Sequence, residues 1–330
     1  MSRFYEISVG AYKTWRSRNE QNPADNPGAL NISFDFFEYV YAIPMGNSTL
    51  TIEGVSLEDL QASAQFAGQQ LSMKAGMSPG FPLTSPPAYK PTQAGLILEG
   101  QIFQSFGNWV GTEMTLDFVV IPSLFTQANP GNFVFEWKPG QKLEDALAIT
   151  FASAYAKASK VPAPVFQLEG QYAAIPSGHL ATYSTLSNLS DAVQSMTKAA
   201  SPRGDGVQIA LLNTGNTILV FDSGGQVTPT QLQFTDLIGQ PTWVDVNVMQ
   251  FTTVMRADIG VGSVIVMPQG LQDVPGSVTT SAASFPSKLK YQISFTQPFI
   301  VQSVRQIGNF RDSNGSSWCT VFQAVPLKAS

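Results

Sequence analysis

The chain has a single cysteine, Cys319, and a single histidine, His179, in 330 residues. One thiol excludes an intrachain disulfide, and one thiol with one imidazole leaves no Cys/His cluster for zinc. Charge is scarce as well: Asp, Glu, Lys and Arg make up 12% of the residues, about half the share of an ordinary soluble domain. Acidic residues outnumber basic ones by 23 to 18, and the densest positive group, Lys13, Arg16 and Arg18, is soon followed by Glu20 and Asp25. Without a basic stripe, a nucleic-acid binder working through phosphate contacts is excluded. No apolar run approaches the roughly 20 residues that span a bilayer, and the first 15 residues lack the apolar core of a signal peptide. The expectation is a soluble protein, made and kept in a cytoplasm, whose folding rests on packing alone.

Catalytic signatures are missing too. There is no P-loop, paired-histidine zinc motif or calcium loop. His179 follows Pro176, Ser177 and Gly178 without a nucleophile-elbow sequence, so it reads as a surface or packing histidine. The 23 carboxylates leave a glycosidase pair open, yet none stands in a recognisable acid and base context. Cys319, beside Trp318 in an apolar run, reads as a buried, inert thiol.

What is present is strand pattern. Hydrophobic residues make up 43% of the chain, ample for more than one core. Residues 234–268 contain three apolar runs, 243–248, 251–255 and 261–267, broken by short polar or glycine segments, which reads as a β-meander. Between the second and third runs lies a compact charged element, Arg256-Ala257-Asp258, either an ion pair pinning a strand end or part of a contact surface. Further strands are predicted over 4–15, 31–44, 49–55, 71–76, 96–103 and 114–121. A polar loop is expected over 16–30, and a Pro- and Gly-rich one over 77–92.

From residue 130 the texture changes. A strand at 133–137 and a turn at 138–141 precede a helix over 142–159, where Leu143, Leu147 and Phe151 recur at four-residue spacing. A second helix over 185–199 carries Leu186, Leu189, Val193 and Met196 on one side. Strands at 207–212 and 217–221 follow, joined by a polar turn. Beyond 224 the chain is β again, with a loop over 270–286 and strands at 289–295, 299–309 and 317–325. The fold class is therefore mainly β with an α+β insertion, divided as 1–125, 126–223 and 224–330. Trp109 and Trp243, one in each β unit, read as core residues.

Several stretches resemble the baseplate hub proteins of contractile-tailed bacteriophages, the phage T4 hub type. They are TLTIEGVS at 49–56, GQIFQSFGNWVGT at 100–112, WKPGQ at 137–141, DLIGQPTW at 236–243 and VMRAD at 254–258. The resemblance implies two tail-tube-like β-barrel domains flanking the small α+β region. It implies a homotrimer whose six barrels form a pseudo-hexameric ring, adapting a six-fold tail tube to a three-fold spike. Implied partners are the tail tube protein, the spike protein and baseplate wedge proteins, with DNA passing through the channel without specific binding. The location would be the virion's tail baseplate, assembled in the host cytoplasm. No catalytic residue, cofactor, metal or membrane-spanning segment is implied. Trp109, Trp243, Arg256 and Asp258 become structural or interface candidates. A tail-associated cell-wall-degrading enzyme and a glycan-binding tail module are the alternatives.

Overall fold

Alternating side chains build most of this chain into sheet. The computed structural model describes residues 2–18, 26–40, 48–78, 93–121, 132–156, 163–172, 178–201, 204–214, 217–222, 228–245, 247–268, 277–278, 295 and 297–327. Strand β1 (Ser2–Val9) buries Tyr5, Ile7 and Val9 at every second position. One strand is predicted over 4–15, but Gly10, at φ +48°, turns the chain back into β2 (Lys13–Arg16). In β3 (Asn31–Tyr39), Ile32, Phe34, Phe36 and Glu38 point inward, and Ser33, Asp35, Phe37 and Tyr39 point outward. After β4 (Ser48–Glu53), Ser56 caps α1 (Leu57–Gln61): its hydroxyl accepts from the Asp59 N–H, and the Asp59 carboxylate accepts from the Ser56 N–H. Then come β5 (Gln70–Ser78), β6 (Gly95–Val110) and β7 (Glu113–Ile121).

The middle of the chain contains β8 (Phe133–Trp137), α2 (Leu143–Ala154), β9 (Ala163–Gln167), β10 (His179–Tyr183), α3 (Leu186–Thr197), β11 (Gln208–Leu211) and β12 (Thr217–Phe221). As the spacing predicts, α2 buries Leu143, Leu147 and Phe151. Thr185 caps α3 by accepting from the Asn188 N–H, and Leu189 and Val193 are buried. The last part holds β13 (Thr230–Gln231), β14 (Thr242–Asp245), β15 (Val248–Val254), β16 (Val264–Val266), β17 (Ser277–Val278), β18 (Phe299–Asn309) and β19 (Trp318–Pro326). The expected loops over 77–92 and 270–286 and the strand over 289–295 lie largely outside the described residues, and the loop over 16–30 lies there in part.

One large sheet of 14 strands runs β17-β14-β15-β19-β18-β3-β4-β7-β6-β5-β1-β2, with β13 and β16 attached beside β18. Strands β11-β12-β9 form a second sheet, and β10-β8 a third. Among the described residues no sheet closes. The two closed barrels expected from the resemblance are therefore not what is seen. Strand β3 of the first β region pairs with β18 of the last, so both regions share one sheet. The expected meander over 234–268 is also corrected: β14 pairs with β15, but β16 pairs with β18 and β13. The segment after β15 leaves the sheet, burying Met255, Arg256 and Ile259.

Three apolar cores result. The first gathers Ile32, Phe34, Leu50, Phe118 and their neighbours under β1–β7, and the second Phe251, Phe299, Val304 and Phe322 under the C-terminal strands. The third packs Phe135, Leu147, Phe151 and Val193 between the helices and the small sheets. Gly308 shows how tightly the first is filled. It lies opposite both Phe34 and Trp318, whose rings meet edge to face at 5.3 Å, and a Cβ at Gly308 would overlap the Phe34 ring. Gly308→Ala should destabilise the protein by roughly 1–3 kcal/mol, read as a lower denaturation midpoint with unchanged slope.

Candidate functional surfaces

The inner face of the large sheet changes character where the first two cores meet. Phe34, Gly308 and Trp318 form one cross-strand row, and Val304, Phe322 and Phe251 another, four residues along. The row between them is Phe36, Gln306, Thr320 and Thr253, so three of its four side chains are polar, and all are buried. Arg256 sits over this seam, 2% exposed. Its backbone N–H donates to Thr320 Oγ1 at 3.1 Å, and its Nε and Nη2 fork onto Asp258, both at 2.7 Å. Nη1 lies 3.4 Å from Asp236 Oδ2, in ion-pair range but without a hydrogen bond of ordinary geometry. Gln93 completes the cluster, donating through Nε2 to Asp236 Oδ1 and accepting from the Ala257 N–H. Met255 and Ala257 pack against the first core. The Arg256–Asp258 pair thus holds two cores in register from within.

Glu38 joins three parts of the chain. Its Oε2 accepts from the Asn213 N–H at 2.6 Å and its Oε1 from the Val261 N–H at 3.2 Å. Asn213 in turn donates through Nδ2 to the Phe37 carbonyl, and its own carbonyl accepts from the Glu99 N–H. Burial pushes the Glu38 carboxyl above its ordinary value, and the two N–H bonds only partly offset this.

The outer face of the same sheet carries no apolar core. Gln104, Phe106 and Asn108 of β6 line up with Asp117 and Val119 of β7, then Thr49 and Thr51 of β4, and Asp35, Phe37 and Tyr39 of β3. The row continues through Arg305 of β18 and Val321 and Gln323 of β19 to Gln250 and Thr252 of β15. Seven strands at about 4.8 Å spacing give a face about 30 Å wide. Its side chains are mostly half-buried or exposed. Its charges include Asp35, Glu53, Glu113 and Asp117 against Arg305, which forks onto Asp35 at 2.9 and 2.6 Å and lies over the Phe37 ring at 4.6 Å. Thr51 and Asn108 both donate to Asp117.

The two tryptophans separate. Trp243 is core as expected, stacked on Phe295 at 5.7 Å and tilted against Phe299. Trp109 is not: it is 61% exposed near the tip of the β6–β7 hairpin, its indole N–H donating to the Gly111 carbonyl. Strand β5 pairs with β6 only as far as Gln101, so the hairpin projects beyond it with Phe103, Phe106 and Val110 also exposed. His179 packs as predicted, its Nε2 2.9 Å from the Tyr183 hydroxyl and its ring beside Phe135. Cys319 is buried, and burial raises its thiol pKa.

With this geometry the chain can be set beside known proteins. No protein-family model and no curated protein sequence matches it. Among solved structures, the E. coli c3393 protein superposes with a TM-score of 0.51 at 11% identity, covering 97% of this chain and 76% of that one. That protein is described as a component of the type VI secretion system with structural similarity to the T4 bacteriophage tail proteins gp27 and gp5. The chain shares the fold of that protein. A tail protein from Neisseria meningitidis MC58 aligns over 99% of the chain and 97% of its own length, at 10% identity and TM-score 0.49. The 43 kDa tail protein of prophage MuSo2 from Shewanella oneidensis aligns over 99% and 98%, at 8% identity and TM-score 0.49.

The seam and the outer face should answer differently to mutation. Arg256→Ala leaves Asp236 and Asp258 without their buried cation and should cost about 3 kcal/mol of unfolding free energy, whereas Arg305→Ala, at an exposed pair, should cost under about 1 kcal/mol in the same denaturant titration. Glu38 also makes stability depend on pH. Because its folded pKa is raised, the stability carried by its protonated form is complete below the ordinary glutamate value of 4.5 and fades as pH rises through the raised value. Glu38→Gln cannot titrate, so the melting-temperature gap between parent and variant should narrow as pH rises above 4.5.

Proposed function

We propose that the chain is a structural hub of a contractile tail baseplate, three copies of which form a pseudo-hexameric ring around a central channel. Residues 1–125 and 224–330 act as the two tube-like domains of each copy, with 126–223 as the α+β region between them. Most members of each apolar core come from one of these parts, although the first core also takes in Met255 and Trp318 and the second takes in Val40, Ala210, Leu219 and Phe221. The ring adapts a six-fold tail tube to a three-fold spike and meets wedge proteins at its periphery. The observation that carries this reading is the outer face of the large sheet. It is broad and low in charge; from β6 to β15 its carboxylates, Asp35, Glu53, Glu113 and Asp117 among them, outnumber the guanidinium of Arg305, which is paired with Asp35, and on the continuing β5, β1 and β2 Lys74 and Arg16 are paired with Glu6. Such a surface gives a polyanion nothing to bind, as a channel passing DNA without retaining it requires.

The assembly itself is also consistent with the composition. At 12% charged residues, much of the surface is suited to burial between subunits, because the centres of interfaces are depleted of charge. A closed trimer needs heterologous contacts between unlike faces, and the projecting hairpin with Phe106, Trp109 and Val110 supplies an apolar element for one of them. No chemistry is required of the chain: its role is to hold positions. It works in the virion tail after assembly in the host cytoplasm.

Native mass measurement of the chain mixed with its spike partner should give three copies of the chain per complex. A persistent monomer in that mixture would contradict the reading. Trp109→Ala should lower the trimer fraction while leaving the melting temperature of the monomer nearly unchanged, because surface substitutions cost within about 0.5 kcal/mol.

A further inference from the structure

A cavity of about 260 Å³ lies between the first two cores and strands β9 and β12 of the second sheet, partly open to solvent. Its walls mix aliphatic side chains, Leu96, Ile97 and Val304 among them, with polar ones such as Asn213 and Ser263, and Glu38 and Gln306 face in from neighbouring strands. Each of the two is 6% exposed. The Glu38 carboxylate accepts one backbone N–H on each oxygen, which uses about half of its capacity of roughly four bonds. Neither lysine nor arginine is among the lining residues. The Gln306 amide makes no side-chain hydrogen bond to any described residue, although its backbone is held in β18 between β3 and β19. A buried carboxylate without a counter-charge and a buried amide without a partner are both costly, and here they share one cavity.

The chemistry of the walls selects the occupant. One uncompensated carboxylate calls for a single positive charge. Calcium and magnesium sites balance two positive charges with carboxylates, and Glu38 is the one carboxylate among the lining residues. A primary ammonium has three N–H donors, enough for Glu38, the Gln306 oxygen and one further acceptor, and a short alkyl chain matches the aliphatic wall. We propose that this cavity binds a primary alkylammonium group. The same chemistry is offered by a free alkyl amine and by the side chain of a protein lysine. The site stands on the geometry of the single chain and does not depend on the hub reading.

Calorimetric titration of the full chain at neutral pH with n-butylammonium chloride tests this, with sodium chloride and tetramethylammonium chloride at equal ionic strength as references. Saturable binding is expected for butylammonium alone. Glu38→Gln should weaken it by about tenfold or more, the worth of a hydrogen bond to a charged group. Gln306→Leu keeps the carboxylate and a side chain of similar size, so it serves even if the first variant fails to fold, and it should weaken binding several-fold. Tighter binding of Nα-acetyl-lysine methylamide than of butylammonium assigns the site to a protein lysine, and weaker binding assigns it to a free amine. Heats matching those of sodium chloride, or unchanged affinity in folded Gln306→Leu, would overturn the proposal.

Discussion

Everything in this molecule depends on the pairing of β3 with β18. These strands come from opposite ends of the chain, yet seven residue pairs, from Ser33↔Asn309 to Tyr39↔Ser303, join them into one sheet. The entropic cost of closing so long a loop grows only slowly with its length, so the pairing is thermodynamically accessible although it is a non-local contact that slows folding. Once made, it fixes the relation of the first two cores. A one-residue slip of β3 against β18 would turn Glu38 outward and Phe37 inward while Gln306 and Arg305 kept their faces. The polar seam guards against that slip. Glu38 can accept from Asn213 and Val261 together only if β3 and the middle region are both seated, and Arg256 ties the segment after β15 to Thr320 of β19 and to Asp236. Buried polar contacts of this kind add little net stability over a well-packed apolar replacement, but leaving them half made is costly. They act as a check on assembly of the fold.

The same pairing produces the functional face. Because side chains alternate across a strand, a sheet that must bury Ile32, Phe34 and Phe36 on one side necessarily presents Ser33, Asp35 and Phe37 on the other. Seven strands in register extend that second surface over about 30 Å. Low charge in the chain as a whole and a slight acidic excess on this face both fit the proposed hub, a subunit enclosed by others and facing a passing polyanion.

Much of this was legible in the residues, and the losses have physical causes. The four-residue stripe Leu143, Leu147 and Phe151 marked the buried face of α2, and the alternation over 31–44 marked a strand while leaving its buried face open, because aromatic side chains fall on both faces. Arg256 stood out as a charge between uncharged strands, although only the structure reveals that it lies inside. Trp109 was misread because an uncharged, aromatic run looks like core, whereas its exposure arises from how far the hairpin extends past β5. Pairing of β16 with β18 rather than β15 depends on where the chain leaves the sheet after Val254, which strand propensity does not encode. Glu38 was overlooked despite a usable signal: the two-residue phase of Ile32, Phe34 and Phe36 runs directly into it, and a carboxylate in a buried phase is itself a mark of a special position.

A map of the assembled tail tip, even at low resolution, tests the central claim most directly. It should place three copies of the chain around the channel axis, with the face bearing Asp35, Thr51 and Asp117 turned toward the lumen. A chain lying away from the axis, or one whose sheet face is covered by another protein while some other surface lines the channel, would contradict the account.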